Sequence, residues 1–216
     1  MGFGTTYTFP VAVPSYMSGT GNSAACTGWD NSSCEGTQYC PPRCPRFVDN
    51  EGVPRIARRF ESADFDAVVD MYDDLDSFSR TQGIPPTTRP QIERWISSLV
   101  ENGWNLVIED DNRIIGHAAV VPASSSAPEL VIFLHQSVRN RGIGSELLKH
   151  LIAHADDQGH DGLTLNVSCG NSRAITVYEN IGFDELERTR TDIEMELSMD
   201  EPIVDRVQLF PAQRDG

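Results

Sequence analysis

The sequence predicts a mixed α/β fold of the α+β kind, and three observations predict it. Two short, continuous apolar runs, Leu130 to Leu134 and Leu163 to Val167, read as strands buried on both faces. Each is followed by a stretch with apolar residues at helical spacing. Before them lie alternating segments suited to paired strands. With 216 residues, 39% of them hydrophobic and 8% aromatic, the chain can bury the core of one ordinary domain with sequence to spare.

Taken in order, residues 1–46 hold 22 Gly, Pro, Ser and Thr residues and little periodicity, which predicts a loop-rich or disordered extension. Val53 to Phe60 has strand character. Ala63 to Leu75 carries apolar residues at positions 65, 68, 69, 72 and 75, a helical face. Residues 73–90 form a turn-rich connection with Pro85-Pro86, and Pro90 suits the first turn of a helix reaching Val100. Leu106 to Glu109 and Ile114 to Val121 read as strands joined at Asp110-Asp111-Asn112. The helix after Gly144 places Leu147, Leu148, Leu151, Ile152 and Ala155 on one face, and Ser172 to Ile181 forms another. Two further strands are predicted near Phe183 to Arg188 and Asp192 to Leu197. The expected organisation is an extension over 1–46, a folded domain over 47–199 and a polar tail over 200–216.

Charge narrows the function. There are 17 basic and 32 acidic residues, a formal −15, and residues 1–46 contribute none of that excess. Such a field repels phosphate backbones and anionic headgroups, so nucleic-acid and membrane-surface partners are not expected. Sixteen of the basic residues are Arg and one, Lys149, is Lys. That balance is expected of a protein kept hydrated in concentrated salt, as in a halophile. No apolar run approaches the roughly 18–20 residues of a membrane-spanning helix, and no basic-then-apolar leader is visible, so a cytoplasmic location is the expectation. Oligomeric state leaves no mark in this sequence.

The most informative stretch is Arg139-Asn140-Arg141-Gly142-Ile143-Gly144-Ser145, between a buried strand and a helix. Two glycines let backbone approach a bulky anion, and a helix start offers unpaired N–H groups and a positive dipole end. That suits a pyrophosphate, although close strand–helix packing also demands glycine. A Walker loop is excluded, because the Gly-Lys-Ser/Thr ending is missing.

Residues 129–145 resemble the acyl-CoA motif of GNAT-type N-acetyltransferases, Arg/Gln-x-x-Gly-x-Gly/Ala, with Arg139, Gly142 and Gly144 at its defined positions. Residues 171–183, Asn-Ser-Arg-Ala-Ile-Thr-Val-Tyr-Glu-Asn-Ile-Gly-Phe, resemble the family's second motif. The likeness extends over roughly residues 53–198 and leaves the N-terminal extension outside. The resemblance implies the GNAT fold, a mixed, mostly antiparallel twisted sheet flanked by helices, with two strands splayed around acetyl-CoA. The pantetheine arm would pair with strand backbone near Ile132, Phe133 and Leu134. The pyrophosphate would lie on Arg139, Asn140, Arg141, Gly142, Ile143, Gly144 and Ser145. Asn171 suits a helix cap, either as a cap alone or as one that also touches the pantetheine arm.

The implied reaction moves an acetyl group from acetyl-CoA to a primary amine, a protein lysine or N-terminus or a small amine, by direct attack in a ternary complex. An amine of the lysine type, with a pKa of about 10.4, arrives protonated and needs a base, for which Glu129 is the candidate. Tyr178 is the candidate acid for the leaving thiolate, and a backbone N–H near Leu134 the candidate oxyanion donor. The position of Glu129 relative to the turn favours the protein-lysine-acetylating branch. The rival reading is a non-catalytic acyl-CoA-binding module with a Cys-rich segment that recognises a partner or a metal.

Cys26, Cys34, Cys40 and Cys44 fall within 19 residues of the extension. Four thiolates could enclose a tetrahedral Zn²⁺ and order a segment too poor in apolar residues to fold alone. Their gaps differ from the usual Cys-x2-Cys knuckle, so an iron–sulfur cluster, disulfides or no shared role stay open. Cys169 is expected to be a small buried residue. His150 and His154, four apart on the long helix, are expected on its solvated edge, and His117 and His135 fall on strands.

Overall fold

A computed structural model describes residues 31–76, 85–111 and 113–214. An eight-stranded sheet organises them: β1 (Arg46–Val48), β2 (Pro54–Arg59), β3 (Trp104–Asp110), β4 (Arg113–Val121), β5 (Glu129–Leu134), β6 (Gly162–Ser168), β7 (Asp184–Arg188) and β8 (Asp192–Ser198). Spatial order is β1-β2-β3-β4-β5-β6-β8-β7. Every neighbouring pair is antiparallel except β5 and β6. Helices α1 (Phe65–Asp73), α2 (Arg89–Asn102), α3 (Ile143–Asp157), α4 (Ser172–Ile181) and α5 (Pro202–Gln208) flank the sheet among the described residues.

Because side chains alternate across a strand, each face of the sheet builds its own core. On one face, Val68, Val69 and Tyr72 of α1 and Ile92, Ile96 and Leu99 of α2 pack on Val107, Ala119 and their neighbours. On the other, Leu147, Leu148, Leu151 and Ile152 of α3 pack on Leu106, Ala118, Leu130, Leu163 and Leu165, joined by Val204 and Val207 of α5. Along β5, Ile132 and Leu134 belong to the α3 face, Val131 and Phe133 to the α1/α2 face.

The predicted strands and helices stand where the periodicity puts them, and three features differ from expectation. Residues 46–48 form β1, which pairs with β2 through a four-residue turn over residues 49–52, with Gly52 at φ +80°. The expected C-terminal tail contains α5, whose Val204 and Val207 are 3% and 2% exposed in the core. His150 and His154 are not on a solvated edge but buried, because α5 packs across α3 and Trp104 stacks near His154 at 5.8 Å. Among the described residues no helix is long and apolar enough to cross a membrane.

Candidate functional site

The parallel partnership of β5 and β6 consists of a single paired position, Glu129 with Thr164. It is extended outward by Thr164 N–H donating to the Pro128 carbonyl at 3.0 Å. Beyond that point the strands diverge. At the far end of β5, His135 N–H donates to the Ile115 carbonyl of β4 at 2.9 Å. Backbone direction alternates along an extended strand, so the odd-numbered amides of β5 serve β4, the Leu130 amide faces Thr164 at the one rung, and those of Ile132 and Leu134 face the gap. The amide of Phe133, expected to meet the pantetheine arm, therefore turns to β4, while its side chain lines the gap on the α1/α2 face.

A cavity of about 850 Å³ fills this wedge, and it is lined by Glu129, Ile132, Phe133, Leu134, the whole of 139–145, Asn171 and Tyr178. Its wall takes in side chains from both faces of β5, so the opening passes through the sheet. On the α3 side it ends at the helix start. There Gly142 caps α3 at φ +78°, Asn140 adopts φ +66°, and Glu146 N–H is the first to return a bond, to the Gly142 carbonyl at 3.1 Å. The preceding N–H groups of α3 have no intrahelical acceptor and point toward the wedge. On the other side stand Trp95 and Phe133, their rings edge-on with centroids 6.1 Å apart.

Glu129 is exposed and accepts a hydrogen bond from Asn166 Nδ2 at 3.2 Å. Tyr178 is half-buried, its ring 5.7 Å from that of Phe183, and burial pushes its phenol up to about 12. Asn171 caps α4, its Oδ1 accepting from Ala174 N–H at 3.2 Å, and also lines the wedge. The two arginines of the turn are committed elsewhere. Arg139 Nη2 meets Asp76 Oδ1 at 2.6 Å, and Arg141 meets Asp49 at 3.0 Å and Glu51 at 2.9 Å.

Several residues of the site are not apparent from motif reading. Arg173, in the first turn of α4, lines the wedge and makes no ion pair among the described residues. Its place in the second motif was the available signal. Trp95 and Phe133 are backed by Tyr72, with ring centroids 5.1 and 5.3 Å away. Tyr72 is fixed in turn: its hydroxyl donates to His117 Nδ1 at 2.9 Å, His117 Nε2 donates to Asn105 Oδ1 at 3.0 Å, and Asn105 Nδ2 donates to the Leu99 carbonyl at 3.0 Å. Burial lowers His117 to about 3 and raises Tyr72 well above the usual phenol value, so both stay neutral. His117 thus supports the wall from behind. His135 caps a short turn through Ser137 and pairs with Asp74 at 3.1 Å.

Among the described residues the cysteines do not gather into a site. Cys26 lies outside the described residues, as do residues 77–84 of the turn-rich connection. Cys34, Cys40 and Cys44 are free thiols, and among the described residues no three His, Cys, Asp or Glu gather into a metal-ligand set. Cys40 Sγ accepts from Thr37 N–H at 3.3 Å and Cys44 Sγ from Asn31 Nδ2 at 3.2 Å, so local turns occupy them. The expected zinc centre has no support. Cys169 is half-buried rather than enclosed.

Residues 56–184 match the family described as acetyltransferase (GNAT) domain. The ribosomal protein bS18 alanine N-acetyltransferase of Salmonella typhimurium is 33% identical over 81 residues, 38% of this chain and 55% of the relative, so the chain spans about half of that protein's length. The GNAT domain of S. lividans PAT superposes with a TM-score of 0.63 at 17% identity, covering 71% of this chain and 95% of that one. Spermidine N-acetyltransferase from Vibrio cholerae, solved with CoA and spermine, superposes with a TM-score of 0.56 at 15% identity, over 68% of this chain and 96% of that one.

Proposed function

The chain belongs to the acetyltransferase (GNAT) family, and from that premise we propose that it transfers an acetyl group from acetyl-CoA to a primary amine. The observation that carries this reading is the broken β5/β6 ladder. It leaves backbone donors and acceptors of Ile132 and Leu134 turned into a cavity that ends on the first turn of α3. An amide-bearing, extended arm can complete the ladder as a substitute strand, while its diphosphate takes the free N–H groups of residues 143–145. Arg173, which makes no ion pair among the described residues, supplies a positive charge to the lining of the same cavity.

On this reading the acceptor approaches from the Trp95/Phe133 face, opposite the α3 terminus. Glu129 takes the proton of the ammonium, directly or through water, and the amine nitrogen attacks the thioester carbonyl carbon. The resulting oxyanion receives an N–H from the gap-facing edge of β5, for which Ile132 is the donor within reach of Glu129's water, since Leu134 stands about 16 Å along the strand from Glu129. When the intermediate collapses, the carbon–sulfur bond breaks and the amine's second proton completes the thiol. Tyr178, protonated at any working pH with its value near 12, donates a hydrogen bond to the departing sulfur. A thiol of pKa about 8.5 is the stronger acid, so the phenol stabilises the thiolate rather than surrendering its proton outright.

The acceptor class is a primary amine on a protein or a small molecule. The relatives named above act on a ribosomal-protein alanine and on spermidine. Calorimetric titration of acetyl-CoA at high KCl tests the reading. Micromolar binding that Gly142→Glu abolishes supports it, and a folded protein that does not bind refutes it. Turnover on a panel of amines, set against binding without turnover, separates the enzyme from a binding module.

A further inference from the structure

We infer that the hairpin preceding the family-matched region, through Asp49, holds the pyrophosphate loop of the acyl-CoA site in its working shape. The inference rests on the acetyl-CoA reading above. Asp49 stands outside the matched segment, which begins at residue 56, and its side chain is fully buried.

Every bond of that carboxylate is accounted for. Oδ1 accepts from the N–H groups of Glu51 and Val53, both at 3.0 Å, which shapes the turn between β1 and β2. Oδ2 accepts from Arg55 Nε at 3.2 Å and stands in ion-pair contact, without hydrogen-bond geometry, with Arg141 Nε at 3.0 Å. Arg55 continues to Asp110 at the end of β3, and Arg141 reaches Glu51. The result is an alternating chain of charge, Glu51–Arg141–Asp49–Arg55–Asp110, that runs from the anion loop to the body of the sheet. Backbone joins it: Asn50 N–H donates to the Arg141 carbonyl at 2.9 Å.

These contacts fall on the residue between two left-handed positions, Asn140 at φ +66° and Gly142 at φ +78°. A non-glycine residue held there is strained and persists only when its surroundings fix it. The Asn50 side chain occupies the space a Gly142 Cβ would need, its Oδ1 2.8 Å from that point. A second buried pair, Arg43 with Glu146 in the first turn of α3 at 2.6 Å, pins the same segment one turn further along. Arg141 therefore serves as the socket of a brace, its charge already met by two carboxylates, and Asp49 is a positioning residue.

The test compares acetyl-CoA with acetyl-pantetheine, which carries the same thioester and arm without the pyrophosphate. With full-length Asp49→Asn, titration is expected to show acetyl-CoA affinity reduced on the order of tenfold, with acetyl-pantetheine affinity as in wild type. Arg141→Lys, a change in a half-buried loop that keeps the charge and loses the fork, provides a second arm if Asp49→Asn does not fold. It is expected to show the same selective loss. Wild-type acetyl-CoA affinity in either folded variant, or equal weakening of both thioesters, overturns the brace. Failure of the wild-type protein to bind acetyl-CoA overturns the function reading and the brace together.

Discussion

Glu129 and Tyr178 handle protons in contrasting surroundings, one exposed at the strand junction and the other half-buried beside Phe183. Glu129→Gln keeps the bond geometry to Asn166 and removes the base, so kcat is expected to fall by about 10²-fold or more while titration shows unchanged acetyl-CoA affinity. Equal kcat would remove Glu129 from the mechanism. Tyr178→Phe leaves the ring contact with Phe183 and deletes the donor to sulfur. Its expected loss is in kcat, with KM for acetyl-CoA little altered in steady-state kinetics. Arg173→Ala should do the reverse, weakening acetyl-CoA most at low ionic strength and progressively less as salt is added, because an exposed cation acts through a screened field.

At the scale of elements, the β5–turn–α3 unit is decisive, and Gly142 is its most constrained position. Gly142→Ala places a side chain at φ +78° against Asn50, and about 1–2 kcal/mol of destabilisation is expected in urea unfolding, from the left-handed backbone alone. Most of this unit was legible in the sequence, since a phosphate-cradling turn requires glycine at fixed offsets and the helix after it shows a full apolar stripe. The second motif was legible for the same reason, with Asn171 capping where a cap was expected. What escaped was built by sequence-distant contacts. Three residues of β1 and seven of α5 are too few to show a period, although Asp49-Asn50-Glu51-Gly52 carries a turn signature and Pro202 opens a helix. His150 and His154 look solvated on α3 taken alone and are buried only once α5 arrives. The brace on Arg141 is invisible locally because its partner lies far earlier in the chain.

For the whole molecule, three enclosed imidazoles make stability depend on pH. Burial lowers His117 and His150 to about 3 and His154 to about 4, from an ordinary 6.5. The unfolded chain thus binds protons that the folded one refuses, so stability is full above about pH 6.5 and is lost as pH falls toward 3–4. At pH 5 each imidazole can cost up to about 2 kcal/mol, and urea midpoints measured between pH 7 and 5 should drop accordingly, the drop shrinking in His117→Asn. The splayed strands have a different bearing on the molecule as a whole. With one rung between them, β1–β5 and β6–β8–β7 are joined mainly by packing, so the middle of the sheet is its least protected line. Deuterium should enter the amides of Ile132 and Leu134 faster than those of their odd-numbered neighbours, an inversion of the usual rule that edges exchange first. A ligand seated there would act as a zip, slowing those amides and turning two half-sheets into one mechanical body.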